Sequence, residues 1–280
     1  MDKSREELSP EEIALFSPTE KIGLAAVADE RGEAHVALLS SIMAKGPREL
    51  LVGEFSRGVS KERMQRSKKV GFLVMGLDLR MWRGAAEWRR LAKEGPEYEE
   101  YNKKPMFRYN TYFGINTVHY LDLVGVEGPV KLPMAGIVCA SLFTALAISL
   151  RPSRSEVPAL SPYGRSIVDG LASLSFLSYL GPAGYPLLVP VVQARTAGPG
   201  LIAFSPGPFR RELAAVPDRS RVSLFSMNLG MESVLCFGRY EAPRRLDPLA
   251  SVAIDRVYNS MPTAHGQVYP PLPLAAYAEA

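Results

Sequence analysis

Short apolar runs broken by glycine and proline recur along most of the chain, and they recur in the same order twice. Ile22–Ala28 (IGLAAVA) and Leu174–Leu180 (LSFLSYL) each predict a strand. A turn with Gly32 or Gly184 follows, then a second apolar run, Ala34–Leu39 or Tyr185–Val192. Gly46-Pro47 and Gly198-Pro199 mark the next turn, ahead of a third strand at Glu49–Gly53 or Leu201–Phe204. Both halves continue through a short polar, helix-like segment, Ser60–Arg66 or Phe209–Ala215. Each then enters an apolar strand, Val70–Met75 (VGFLVM) or Val222–Met227 (VSLFSM), and a paired strand reaching Gly84 or Gly238. Equivalent positions stay roughly 150 residues apart, the signature of an internal duplication.

Strands bounded by Gly, Pro and Asp predict antiparallel barrels rather than βαβ units, and no Gly-rich dinucleotide loop opens a helix. Between the copies, Trp88–Lys103 (WRRLAKEGPEYEEYNK) predicts two short helices broken at Gly95-Pro96, part of a helical insertion at about 88–116. His119–Val126 (HYLDLVGV) predicts the closing strand of the first barrel. Leu132–Leu150 carries no charge and could just span a bilayer by length. Pro133 opens it, however, and Gly136, Ala140 and Thr144 form a face of small residues, so the expectation is a buried helix between two domains. A Pro/Ser-rich linker, Arg151–Pro162, follows. The expected division is a first barrel over 1–130, a helix and linker over 131–163, and a second barrel with a C-terminal tail over 164–280.

Composition narrows the classes. The 280 residues are 47% hydrophobic and 22% charged, a globular balance, with a formal charge of +4. The basic residues are scattered, which argues against nucleic-acid binding. Cys139 and Cys236 read as small buried hydrophobes, and two cysteines and three histidines offer no metal-ligand spacing. Met1–Glu12 is charged and lacks an apolar signal core, so a cytoplasmic protein with no membrane partner is expected.

The order of strand, turn, HVALLS, ELLVGEFS, SKERMQRSKKVGFLVM and GAAEW is similar to the flavin-binding split-barrel proteins related to pyridoxamine 5'-phosphate oxidase. The resemblance implies a mainly β fold with helices (α+β). Two tandem antiparallel split β-barrels would form an internal pseudo-dimer, joined by a helical segment, in a monomer or a homodimer. It also implies FMN as cofactor, with Ser60 and Lys61 on the flavin phosphate and Arg57 as a helper. Such a pair fits a helix start, where free N–H groups and the positive dipole end favour a phosphate dianion. Ser40 and Ser41 end the strand that would line the flavin. His35 stands where the oxidases often have Arg, and a neutral imidazole is a poor anion anchor. In the second copy Ser205, Arg210 and Arg211 replace Ser56, Ser60 and Lys61, while Pro206 and Pro208 remove backbone donors. One competent flavin site, or two unequal ones, is expected. Arg245-Leu246-Asp247-Pro248 lacks the context of vitamin B6 chemistry.

Two polar-aromatic segments lie outside the barrels, Met106–Thr117 (MFRYNTYFGINT) and Val257–Pro270. Arg108, with Asn110, Tyr112 and Asn116, could hold a small-molecule substrate, and His265 and Tyr109 are candidate proton donors. His119, inside an apolar strand, reads as a satisfied core residue. No Ser-His-Asp order or carboxylate pair supports hydrolysis. The function expected is an FMN-dependent oxidoreductase. The alternatives are a non-catalytic flavin- or haem-binding protein and a deazaflavin-dependent reductase on the same barrel.

Overall fold

A computed structural model describes residues 4–55, 59–104, 114–150, 158–259 and 266–271. Strands β1 (Lys21–Ala28), β2 (Ala34–Leu38), β3 (Met43–Gly46), β4 (Glu49–Glu54), β5 (Lys69–Gly76), β6 (Arg80–Ala92) and β7 (Thr117–Lys131) form one antiparallel sheet. Its order is β2-β1-β5-β6-β7-β4-β3. The second sheet contains β8 (Leu174–Leu180), β9 (Pro186–Pro190), β10 (Arg195–Gly198), β11 (Leu201–Phe204), β12 (Arg221–Met227), β13 (Ser233–Glu241) and β14 (Ala250–Asn259). Its order, β10-β11-β14-β13-β12-β8-β9, is that of the first sheet read from the other edge, with β8 in the place of β1 and β14 in the place of β7. A short β15 (Gly266–Tyr269) adds to β14. The chain is therefore a tandem pair of antiparallel split barrels, mainly β with helices, and the duplication read from turns and apolar runs holds strand by strand.

Even the backbone exceptions repeat. Gly32 and Gly184 adopt φ 76° and 78° in equivalent turns, a region closed to most side chains. A Cβ on Gly84 or Gly238 would come within 2.1 Å of a carbonyl oxygen on the next strand, Gly125 or Ala253. The crossing of the two longest strands leaves no room for one in either copy.

Helices α1 (Pro10–Phe16), α2 (Val59–Ser67) and α3 (Pro96–Lys103) accompany the first sheet; α4 (Met134–Ser149), α5 (Pro162–Asp169) and α6 (Arg210–Ala214) accompany the second. Two compact units result: Met1–Leu132 with Ser178–Leu188, and Pro133–Leu177 with Val189–Ala280. In the first, Phe16 stacks edge-on to Trp82 at 5.7 Å over a core that includes Ala25, Val27, Phe72 and Val74.

Three expectations need correction. Trp88–Ala92 is strand, not helix: β6 continues to Ala92, and the helix begins only at Pro96. Its polar sequence is held extended by β7, with Trp88 opposite Leu121 and Leu91 opposite His119. Arg90 lies 3.5 Å over the Tyr120 ring and Arg89 pairs with Asp122 at 3.0 Å. The apolar helix α4 buries Ile137, Ala140 and Thr144, whereas Gly136, Val138, Leu142 and Leu146 are exposed. Only one face packs, so it is not a buried helix. Cys139 is exposed on that outer face; Cys236 is buried as expected. No helix among the described residues is long and apolar enough to cross a membrane.

Candidate functional site

Strand β4 ends at Glu54, and the chain re-enters regular structure at α2, whose first turn carries Ser60 and Lys61. Met64 anchors the helix in the core beneath. That packing turns Ser60 inward: it is 4% exposed, and its Oγ lies 3.0 Å from Nδ1 of the buried His35 on β2. Lys61, half-buried beside it, is desolvated, which lowers its pKa, and the Glu54 carboxylate acts in the opposite direction. A cation is thus kept in a low-dielectric position at a helix start.

Glu54 is itself fixed from behind. Its Oε2 lies 2.8 Å from Nε2 of His119, which is fully buried on β7, and the Trp88 indole donates to His119 Nδ1 at 3.1 Å. An indole N–H can only donate, so Nδ1 must accept, and the ring proton sits on Nε2 facing Glu54. The result is a neutral imidazole holding a carboxylate that in turn faces Lys61. His119 is a satisfied buried residue, as expected. Glu54 and Trp88 went unrecognised in the sequence. A carboxylate closing an otherwise apolar strand just before the helix was the available signal for Glu54; nothing local marked Trp88.

The remaining expected site residues are dispersed. Ser40 is half-buried at the end of the β2 turn. Ser41 is 1% exposed, donates to the Gly53 carbonyl at 2.7 Å, and accepts from Tyr101 Oη at 2.6 Å through its own carbonyl. The second copy makes the same clamp with another residue: Gln193 Nε2 donates to the Ser205 carbonyl at 2.5 Å, again twelve positions along the chain. Joining these two turns is therefore a requirement of the fold, and Ser41 serves it. Asn116 is exposed and donates to the Phe55 carbonyl at 3.0 Å, pinning the approach to β7. Arg57, Arg108, Tyr109, Asn110, Tyr112 and His265 lie outside the described residues.

In the second copy the chain after β11 takes a 3-10 turn, Gly207–Phe209, before the five-residue α6. Arg210 and Arg211 are both exposed. The Ser205 amide donates to Thr144 Oγ1 of α4 at 3.0 Å, and its hydroxyl accepts from Gly207 N at 3.4 Å. The two copies thus share a fold but differ here: Arg210 and Arg211 are exposed where Ser60 is buried and Lys61 half-buried.

No family model matches the chain, and no curated protein does. Solved structures that match include FMN-binding, pyridoxamine 5'-phosphate oxidase-like, FAD-binding and F420-linked proteins. An FMN-binding protein from Syntrophomonas wolfei is 17% identical, with the match covering 41% of this chain and 81% of that one at a TM-score of 0.37. An FAD-binding protein from Mesorhizobium loti is 16% identical, covering 45% and 98% at 0.31. An F420 reductase is 12% identical, covering 41% and 94% at 0.33.

Proposed function

We propose that the chain is a flavin-dependent oxidoreductase that binds FMN in its first unit and acts on a small molecule. The observation that carries this reading is the desolvated Lys61 beside the inward-facing Ser60 in the first turn of α2. Glu54, fixed by His119, gives this cation one counter-charge, and a phosphate dianion at the helix start would add charge-assisted bonds to it. The residues present fit a phosphate dianion. Lys61 would supply charge, the first-turn amides of α2 would supply donors, and Ser60 would supply a hydroxyl whose direction His35 sets. Ser40 would sit nearer the ring system than Ser41, which the fold already uses. The bound flavin supplies hydride or electron transfer.

The chain's own part is to bind, orient and shield. The neutral Trp88–His119 pair keeps Glu54 fixed, so that Lys61 remains an ammonium despite its burial. Arg108, Asn110, Tyr112 and Asn116 are the proposed substrate contacts, and His265 and Tyr109 the proposed proton donors. The second copy, with exposed arginines and proline-interrupted backbone, carries no equivalent site and leaves one FMN per chain.

The test is titration of FMN into the wild type and Lys61→Ala, following quenching of flavin fluorescence. Loss of a charge-assisted contact predicts a Kd raised by about tenfold or more, with an unchanged melting temperature. Equal affinity in the two proteins removes the assignment.

A further inference from the structure

The first unit contains a second concentration of cations that the phosphate site does not use. Ala28, Asp29, Glu30 and Arg31 of the β1–β2 turn, with Arg63, Arg66 and Ser67 of α2, line a cleft of about 440 Å³. That volume suits a small ligand or one moiety of a larger one. Arg63 and Arg66 are three residues apart and share a helix face. Arg31 approaches from the turn. Asp29 is already committed: Oδ1 accepts from the amides of Arg31 and Glu33 at 3.0 Å each, and Oδ2 lies 3.3 Å from Arg63. Three guanidiniums therefore face one engaged carboxylate and Glu30. Arg31 and Arg66 are exposed, and no ion pair joins either of them to another described residue.

The duplication provides an internal control on whether the fold needs these charges. The turn between β8 and β9 has the same bonds as that between β1 and β2. Gly181 N donates to Tyr185 O and Gly184 N to Gly181 O, both at 2.9 Å, as Asp29 N does to Glu33 O and Gly32 N to Asp29 O, both at 3.0 Å. Yet Gly181, Pro182 and Ala183 stand where the first copy has Asp29, Glu30 and Arg31. The stretch matching the second half of α2, Leu213–Asp218, carries no basic residue. The same turn is thus built without Arg31, and the shorter helical segment of the second copy packs without counterparts of Arg63 and Arg66. The turn does not need Arg31, so the cluster is available to a ligand.

We propose that this cleft is a second anion site, taking the phosphate of a nucleotide co-substrate through Arg31 and Arg66, with Arg63 fixed by Asp29 as a standing positive charge. Arginine forks match phosphate oxygens in paired hydrogen bonds, and the cleft has room for a nucleoside diphosphate headgroup. The nucleotide class rests on the oxidoreductase reading, taken in its reductase form: a flavin that reduces its substrate is re-reduced by a separate two-electron donor, and reduced nicotinamide nucleotides, which carry phosphate, are such donors; the anion site itself does not rest on it.

The experiment is calorimetric titration of the full chain, with FMN present in excess, using ADP, inorganic phosphate and adenosine. ADP is expected to bind more tightly than inorganic phosphate, and adenosine not to bind. Arg31→Ala and Arg66→Ala should each weaken ADP by about tenfold. Lys61→Ala should leave ADP unchanged, separating this cleft from the flavin-phosphate position, and the two arginine variants should leave FMN affinity unchanged. No ADP binding, or ADP affinity unaltered by both arginine variants, overturns the site. Equal affinity for ADP and inorganic phosphate overturns the nucleotide assignment. Arginine-dependent ADP binding in a protein that takes up no FMN would support the cleft while the flavin reading fails.

Discussion

A single indole decides the state of His119. Because Trp88 can only donate, the imidazole is neutral and turns its one proton toward Glu54. Replacing it leaves a half-buried indole N–H without its acceptor and a buried carboxylate without its donor. His119→Leu should therefore destabilise the protein by about 2–3 kcal/mol in urea unfolding, well beyond an isosteric core swap. A loss below about 1 kcal/mol would mean that water or other groups replace both bonds. This trio was only partly legible in the sequence. His119 stood out as a polar residue in an apolar strand, but its partners lie 65 and 31 residues away, and only strand pairing brings them together. Ser41 shows the converse. Polar and at a strand end, it matched the pattern of a flavin contact, and only the equivalent Gln193 clamp in the second copy reveals its work in the fold.

Among the elements, α1 depends on one carboxylate. Glu12 completes a capping box with Ser9, receives two bonds from Arg5 at 3.0 and 2.6 Å, and accepts from Trp82 Nε1 at 3.0 Å. Burial alone would raise its pKa; Arg5, the Ser9 amide and the indole outweigh this and bring it from 4.5 to about 2. A carboxyl with a depressed folded pKa stabilises the fold above its unfolded value and loses that contribution as pH falls through the folded one. Glu12→Gln should thus cost about 1–3 kcal/mol near pH 7, discounted for the exposure of Arg5, and the two proteins should converge between about pH 4.5 and pH 2. Urea midpoints across that range check it; a gap independent of pH would mean that shape rather than charge holds the helix. Element boundaries were legible where apolar runs end at turns, as at Leu174–Leu180 and Leu201–Phe204, which β8 and β11 reproduce. They were not legible at Trp88–Ala92, where a polar strand is stabilised by cross-strand arginine contacts rather than by its own pattern. In α4, an apolar sequence suggested burial on all sides, whereas packing covers one face.

For the whole molecule, the repeat was the most legible feature, because turn chemistry and strand pattern survive divergence that side-chain chemistry does not. The same sheet order appears twice, with glycines at equivalent strained and crowded positions. Against that shared scaffold the differences stand out: an inward Ser60, a desolvated Lys61 and three clustered arginines in one copy, and a proline-broken turn with exposed arginines in the other. The two copies are proposed to have divided their labour, one holding the cofactor and the other keeping the architecture. The most direct measurement of that claim is the absorption spectrum of the protein saturated with FMN and freed of excess, with the released cofactor counted per chain. The account predicts oxidised-flavin bands and one FMN per chain, lost in Lys61→Ala and retained when Arg210 and Arg211 are both replaced by Ala. A colourless protein that takes up no FMN, or one whose FMN depends on Arg210 and Arg211 rather than on Lys61, would contradict it.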